Sequence, residues 1–229
     1  MTATESASRT ARERARAELT REIKEAARRQ LAAQGAQGLS LRAVARELGM
    51  VSSALYRYFP SRDELLTALI IDAYDALGSA AEAASAGLPA AEVRGRWRAV
   101  CGAMRDWALA HPHEYALIYG SPVPGYQAPQ ATIASAIRVV RVLGDLLTSA
   151  AGDDSPPLPP VLGEQAAIAA DAIAPGVPGT VILRGLTAWT QLFGMISFEL
   201  FGQFVGSLDP AGEFFGYAVE QMADLVGIP

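Results

Sequence analysis

The chain has 229 residues, enough for one large domain or a small domain joined to a larger one, and too few for three. Hydrophobic residues make up 51% and charged residues 19%, which excludes a disordered chain and supplies a sizeable core. The net charge of -5 is unevenly spread: residues 1–70 carry 12 Lys and Arg against 8 Asp and Glu, while residues 71–229 carry 7 against 16, so any contact with a polyanion belongs at the N-terminal end.

Residues 1–16 are polar and Arg-bearing where a signal peptide needs an apolar run of roughly 7 to 15 residues. One cysteine, Cys101, excludes an intramolecular disulfide framework, and a cytoplasmic protein is expected. Apolar residues then recur at spacings of 3 and 4 from end to end with no sustained strand period, which predicts an all-α fold. The first helix is expected over residues 10–33, with Leu19, Ile23, Ala27 and Leu31 as one apolar stripe and Arg12, Arg16, Arg28 and Arg29 largely off it. Gly35 and Gly38 end it. Ser40 is a good N-cap for a second helix carrying Leu41, Val44, Ala45 and Leu48, which Gly49 stops. A third, over residues 51–59, is cut off by Pro60. Ser61 and Glu64 form a capping box for a fourth, whose apolar face runs through Leu65, Leu66, Leu69, Ile70 and Ala73 to about residue 77.

Further helices are expected at residues 90–110, 113–120 and 128–150, with breaks at His111-Pro112 and across residues 121–125. Residues 153–160, with four prolines, predict a surface loop. Helices over 163–173 and 180–206 follow, and Asp209-Pro210 is expected to cap a last helix ending near 226. Residues 185–208 hold one charge, Glu199, and are long enough to span a bilayer. Thr187, Thr190, Gln191, Ser197 and Gln203 interrupt the stretch and no basic anchor follows it, so no membrane is expected. Such a helix should be covered by protein, including a partner subunit; Phe198, Phe201, Val205, Phe215 and Met222 are the expected homodimer interface.

The functional signal lies in residues 40–59. Ala45, Gly49 four on and Leu55 six further have the spacing of a helix-turn-helix: a small residue for close crossing, a glycine for the left-handed turn, and an apolar wedge. On the third helix Val51, Leu55 and Tyr58 are expected to face inward. Ser52, Ser53, Tyr56 and Arg57 face outward, a set in which Ser can reach base edges and Arg or Tyr a phosphate.

The run from Leu39 to Phe59, ending Leu55-Tyr56-Arg57-Tyr58-Phe59, with Ser61-Arg62-Asp63-Glu64-Leu65-Leu66 after it, resembles the DNA-binding domain of the TetR family of bacterial transcriptional regulators over about residues 10–75. Val51 stands where many relatives have Ser, and Ser52 where they have Lys or Arg. The resemblance implies that Ser40, Arg42, Tyr56, Arg57 and Arg62 touch the DNA backbone. It also implies a DNA-binding domain at residues 1–75 and a helical ligand-binding and dimerisation domain at 76–229. Trp189 with Phe193-Gly194 is similar to a subgroup whose C-terminal domain carries a Trp followed by His-Gly.

Trp107, Tyr115, Tyr119, Tyr126, Trp189 and Phe193 supply the apolar area and polar tips that a pocket for a small apolar or aromatic effector needs. His111 and His113, two apart around Pro112, do not share a helix face as a metal pair would. Arg98 and Arg105 flank Cys101 at helical spacing, as a low-pKa redox thiol would require, but a buried small apolar residue is the expectation for Cys101. No phosphate-cradling loop or nucleophile elbow is present, so neither enzyme nor cofactor is expected. The sequence reads as a homodimeric repressor that binds a palindromic operator and is released by a small apolar molecule. The competing reading is a helical carrier or sensor that does not bind DNA.

Overall fold

The structure is a computed structural model that describes residues 3–149 and 156–229, with side chains from residue 11 onward. Ten α-helices are described: α1 (Ala3–Gln34), α2 (Leu41–Glu47), α3 (Ser52–Leu55), α4 (Arg62–Ala86), α5 (Val93–Ala110), α6 (Pro112–Tyr119), α7 (Ile133–Leu147), α8 (Pro160–Ile173), α9 (Gly179–Leu200) and α10 (Gly212–Val226). No strand occurs among the described residues, in agreement with the all-α expectation.

The ends differ from expectation for local reasons. α1 starts before residue 10 because nothing upstream of Gly35 interrupts a run rich in Ala, Arg and Glu. α4 continues past Gly78, where a Cβ would come within 2.9 Å of the Arg138 Cβ. Arg138 there bonds Asp75 Oδ1 (2.9 Å), Ser79 Oγ (3.0 Å) and Glu82 Oε2 (2.6 Å), three positions along one face of α4. α9 ends at Leu200 instead of 206, since Gly202 and Gly206 adopt positive φ. Asp209 is not the N-cap of the last helix; that position is Ala211, and α10 opens at Gly212. A single 3-10 turn at Gln130–Thr132 delays α7 to Ile133. Of the expected helix over 128–150 and loop over 153–160, Ala150 and residues 153–155 lie outside the described residues.

The chain divides into two compact units, and the division falls within α4. The first holds the described residues up to Asp72 together with His113–Thr132. Its core gathers Ile23, Ala27 and Leu31 of α1, Val44 and Ala45 of α2, Leu55 of α3, and Leu65, Leu66 and Leu69 of α4. Helix α6 joins this unit through a chain of ion pairs: Asp72 accepts from Lys24 Nζ (2.7 Å) and an Arg28 terminal nitrogen (2.6 Å), and Arg28 Nε donates to Glu114 Oε1 (2.9 Å). Arg16 does not lie off the packed stripe of α1, because its guanidinium carbon sits 5.5 Å from the centre of the Tyr58 ring.

The second unit comprises Ala73–Pro112 and the described residues from Ile133 onward. Helix α9 packs against α5, α7, α8 and α10. It is the one described helix long and apolar enough to cross a membrane. Its Glu199, however, is gripped by Arg105 of α5 through Nε (2.7 Å) and a terminal nitrogen (2.6 Å), the two-pronged pairing that fixes one protein helix on another. Two expected interface residues are corrected: Phe215 and Met222 are buried in the second unit, Met222 with no exposed surface and Phe215 with little, and their side chains serve its own core. Phe198 is 53% exposed and Val205 74%, and Phe201 is similarly open.

Candidate functional site

The α2–α3 turn is built by the residues its spacing named. Ser40 caps α2, its Oγ accepting from the Ala43 amide at 3.4 Å, while its own amide donates to Gln30 Oε1 at 3.2 Å. At the other end Gly49 takes φ 65°, and the Met50 amide reaches back to the Ala45 carbonyl at 2.8 Å, closing a Schellman-type cap. Ala45 and Leu55 are buried where the helices cross. Helix α3 is shorter than the expected 51–59. After Leu55 the chain tightens to i→i+3 bonds, Arg57 to Ala54 (3.3 Å) and Tyr58 to Leu55 (2.8 Å), before Pro60 ends it.

This winding leaves Ser53, Tyr56 and Arg57 exposed, with Arg42 of α2 exposed as well, while Ser52 is half-buried. Val51 is a correction: it does not face inward but is 71% exposed at the N-cap of α3, with extended backbone and no side-chain bond to the helix. Since a serine there supplies an acceptor for an unpaired amide, Val51→Ser is expected to stabilise the first unit by about 1 kcal/mol. A rise in the urea midpoint would show it, and an unchanged midpoint would mean the amides are already served by water.

Sequence reasoning missed what Arg62 holds. Its guanidinium donates to the Ala36 carbonyl (2.8 Å) and the Leu39 carbonyl (3.2 Å), fastening the segment between α1 and α2. No spacing rule relates residue 62 to carbonyls more than twenty positions earlier, so only the folded chain displays this clamp.

The six aromatic residues expected to line one pocket are divided between the two units. Tyr115, Tyr119 and Tyr126 lie in the first unit, Tyr115 fully buried and the Tyr126 hydroxyl 2.9 Å from Thr67 Oγ1. In the second unit Trp107 stacks on His111, whose ring centre is 5.3 Å away. Trp189 lines a cavity, with Phe193 tilted against it at 4.7 Å. That cavity, about 280 Å³ and partly open to solvent at the exposed Leu186, is lined by Trp97 of α5, Val140, Leu143 and Leu147 of α7, Ile173 of α8, and Ile182, Leu186 and Trp189 of α9. Two glycines border it, and both mark close helix approaches. A Cβ on Gly144 would meet Ile173 at 2.9 Å, and one on Gly185 would meet Leu147 at 2.6 Å. The Trp97 indole N–H is already committed to the Val219 carbonyl at 3.0 Å.

Cys101 is buried, as expected of a small apolar residue, and burial pushes its thiol well above the usual range. Neither flanking arginine opposes this, because Arg98 pairs with Glu220 and Arg105 with Glu199.

Comparison with known proteins agrees with this geometry. Residues 23–69 match the family model described as bacterial regulatory proteins of the tetR family, and residues 97–222 match a tetracyclin repressor-like C-terminal domain. The HTH-type transcriptional regulator Rv1816 of Mycobacterium tuberculosis is 42% identical over 197 residues, covering 83% of this chain and 84% of that protein. The chain belongs to the TetR family. Mb1846 of Mycobacterium bovis matches with the same identity and coverage. The solved structure of the regulatory protein SCO4313 superposes with a TM-score of 0.79 at 34% identity, covering 93% of this chain and 98% of that one. The TetR-family chain is therefore a DNA-binding transcriptional regulator and not an enzyme, which sets aside the carrier that binds no DNA. Regulators of this family bind operator DNA and dimerise.

Proposed function

We propose that this TetR-family regulator is a homodimeric repressor that reads a palindromic operator and releases it when a small uncharged molecule enters the second unit. The observation that carries the reading is the cavity of about 280 Å³. A concave, apolar site that opens to solvent on one side is the usual form of a small-molecule pocket. A space of this size suits roughly ten non-hydrogen atoms, taking about 30 Å³ for a water-sized group. Its lining offers no charged side chain, so a charged effector would lose its hydration without compensation. The effector is then a compact apolar molecule with at most one polar group.

At the DNA, Arg42, Tyr56 and Arg57 are assigned to phosphates, and Ser52 and Ser53 to base edges. Ser40 and Arg62 enter through what they hold: the start of α2 and the segment before it. Residues 1–75 accordingly carry DNA binding, and residues 76–229 carry effector binding and dimerisation. In a twofold dimer both reading heads engage when their recognition segments meet major grooves about 34 Å apart. An effector with higher affinity for a conformer that departs from this spacing weakens DNA binding by linkage, and one with equal affinity for both conformers does nothing.

The test titrates uncharged probes, from toluene to naphthalene, against tryptophan fluorescence and against binding to a duplex selected from a random library. Wild type is expected to show quenching and DNA release at the same probe concentration. Val140→Phe, which narrows the cavity, is expected to lose both responses and keep DNA affinity. Quenching without release would leave a cavity without a switch, and silence towards every probe would end the effector reading.

A further inference from the structure

The packed face of α1 changes character towards its N-terminus. Ile23, Ala27 and Leu31 are buried on it. Stepping back by helical spacing, the positions that continue this face are Leu19, Arg16 and Arg12. Arg16 reports the direction, since its guanidinium lies over the ring of Tyr58, at the end of the α3 segment. Arg12 is exposed one turn further out, about 6 Å along the axis. The described side chains from Ala11 to Glu18 are all exposed, so this part of the helix covers no core. The opposite face is different in kind. There Arg14, Glu18, Arg21 and Glu25 alternate in sign, and Arg21 pairs with both Glu18 and Glu25. One side of the helix compensates its own charge, and the side turned towards the recognition segment carries arginines where the apolar stripe would continue.

We propose that Arg12 and Arg16 form an additional DNA contact, lying against the phosphate backbone that flanks the bases read by α3. The proposal rests on the reading of α2 and α3 as the DNA-binding surface, and it extends that surface to a segment upstream of residue 23, where the family match begins. The chemistry fits: guanidinium forks are weakly hydrated and suit phosphate geometry, and an arginine held over an aromatic ring is partly oriented before it binds. Two such forks one turn apart on the Tyr58 side continue the cationic edge that Arg57 begins.

The experiment measures the affinity of the full chain for a random-sequence duplex across a salt series. Four proteins are compared: wild type, Arg12→Ala, the double variant Arg12→Ala with Arg16→Ala, and Arg14→Ala on the charge-compensated face. Each phosphate contact contributes about 0.9 to the slope of log affinity against log salt, so the double variant should lose about 1.8 from that slope for each engaged head, about 3.6 for a dimer with both heads on DNA, and bind about thirtyfold more weakly per head near 0.15 M salt. Arg12→Ala should lose about half of the slope change, and Arg14→Ala should keep the wild-type slope. Because exposed Arg12 packs on no core, its single variant keeps the test valid even if loss of Arg16 disturbs Tyr58. Equal slope losses for Arg14→Ala and Arg12→Ala would reduce the effect to net charge and overturn the proposal, as would wild-type slopes throughout. A wild type that shows no salt-dependent binding would instead overturn the reading of α2 and α3.

Discussion

Leu55→Ala is expected to destabilise the first unit by about 2–5 kcal/mol, the usual cost of removing a buried leucine side chain, and to abolish measurable operator binding with it. Leu55 has no exposed surface and is the one buried residue of α3. That helix has four residues and no side-chain cap, far below the length at which a helix holds itself in water. Its position therefore depends on the wedge, and the outward set of Ser53, Tyr56 and Arg57 depends on its position. Urea unfolding followed by circular dichroism would measure the stability, with the same protein titrated against DNA. Tyr56→Ala is the contrast, since an exposed side chain should cost affinity with little change in the midpoint. A loss below about 1 kcal/mol for Leu55→Ala would mean that the turn is held chiefly by Gly49 and the Arg62 clamp.

How much of this was legible in the sequence depended on the range of the interaction. Local chemistry was readable. Ser40 caps α2, Gly49 takes the left-handed turn, and Ser61 Oγ accepts from the Glu64 amide at 3.1 Å, because each needs only residues within a few positions. Periodicity also identified the ten helices of the described residues, although it misjudged where several end. The apolar face of α4 was followed only to about residue 77, but the helix runs on through Gly78, the small residue over which Arg138 lies, a fact about a residue sixty positions away. Asp209-Pro210 had the composition of a helix start, but the chain turns once more before α10.

The sites behaved in the same way. The DNA-facing set follows from the phase of one short helix, and the inward assignment of Val51 failed only because an N-cap residue does not yet share that phase. The pocket could not be read, because aromatic content names residues able to line a cavity without saying which meet. Tyr115 and Trp107 fill cores, and the cavity is walled mostly by aliphatic residues on α7 and α9 that looked like ordinary core. The same limit applies to Cys101: helical spacing put two arginines beside it, and only the fold shows both turned to carboxylates.

The second large effect is expected at the partner face. Among the expected interface residues, Phe198, Phe201 and Val205 stay open on one subunit, and Tyr217 of α10 is 63% exposed. Phe198, Phe204 and Phe214 form a chain of edge-on rings with centres 5.8 and 5.6 Å apart, so the patch rests on an ordered aromatic base. An exposed apolar group on such a base is what a second copy would cover. Phe198→Glu would place a carboxylate in that contact without a partner, and such a burial costs several kcal/mol. The variant is expected to run as a monomer by light scattering while its circular dichroism and melting remain near wild type, because the side chain contributes little to its own subunit's core. With one reading head in place of two, affinity for an inverted repeat should fall by about 100- to 10,000-fold, while affinity for a half-site stays close to wild type. The two duplexes measured together separate loss of dimerisation from damage to the head, since damage would weaken both. A dimeric Phe198→Glu with an intact preference for the inverted repeat would move the interface elsewhere, and the exposed Val161 and Ile168 on one face of α8 are where it would then be sought.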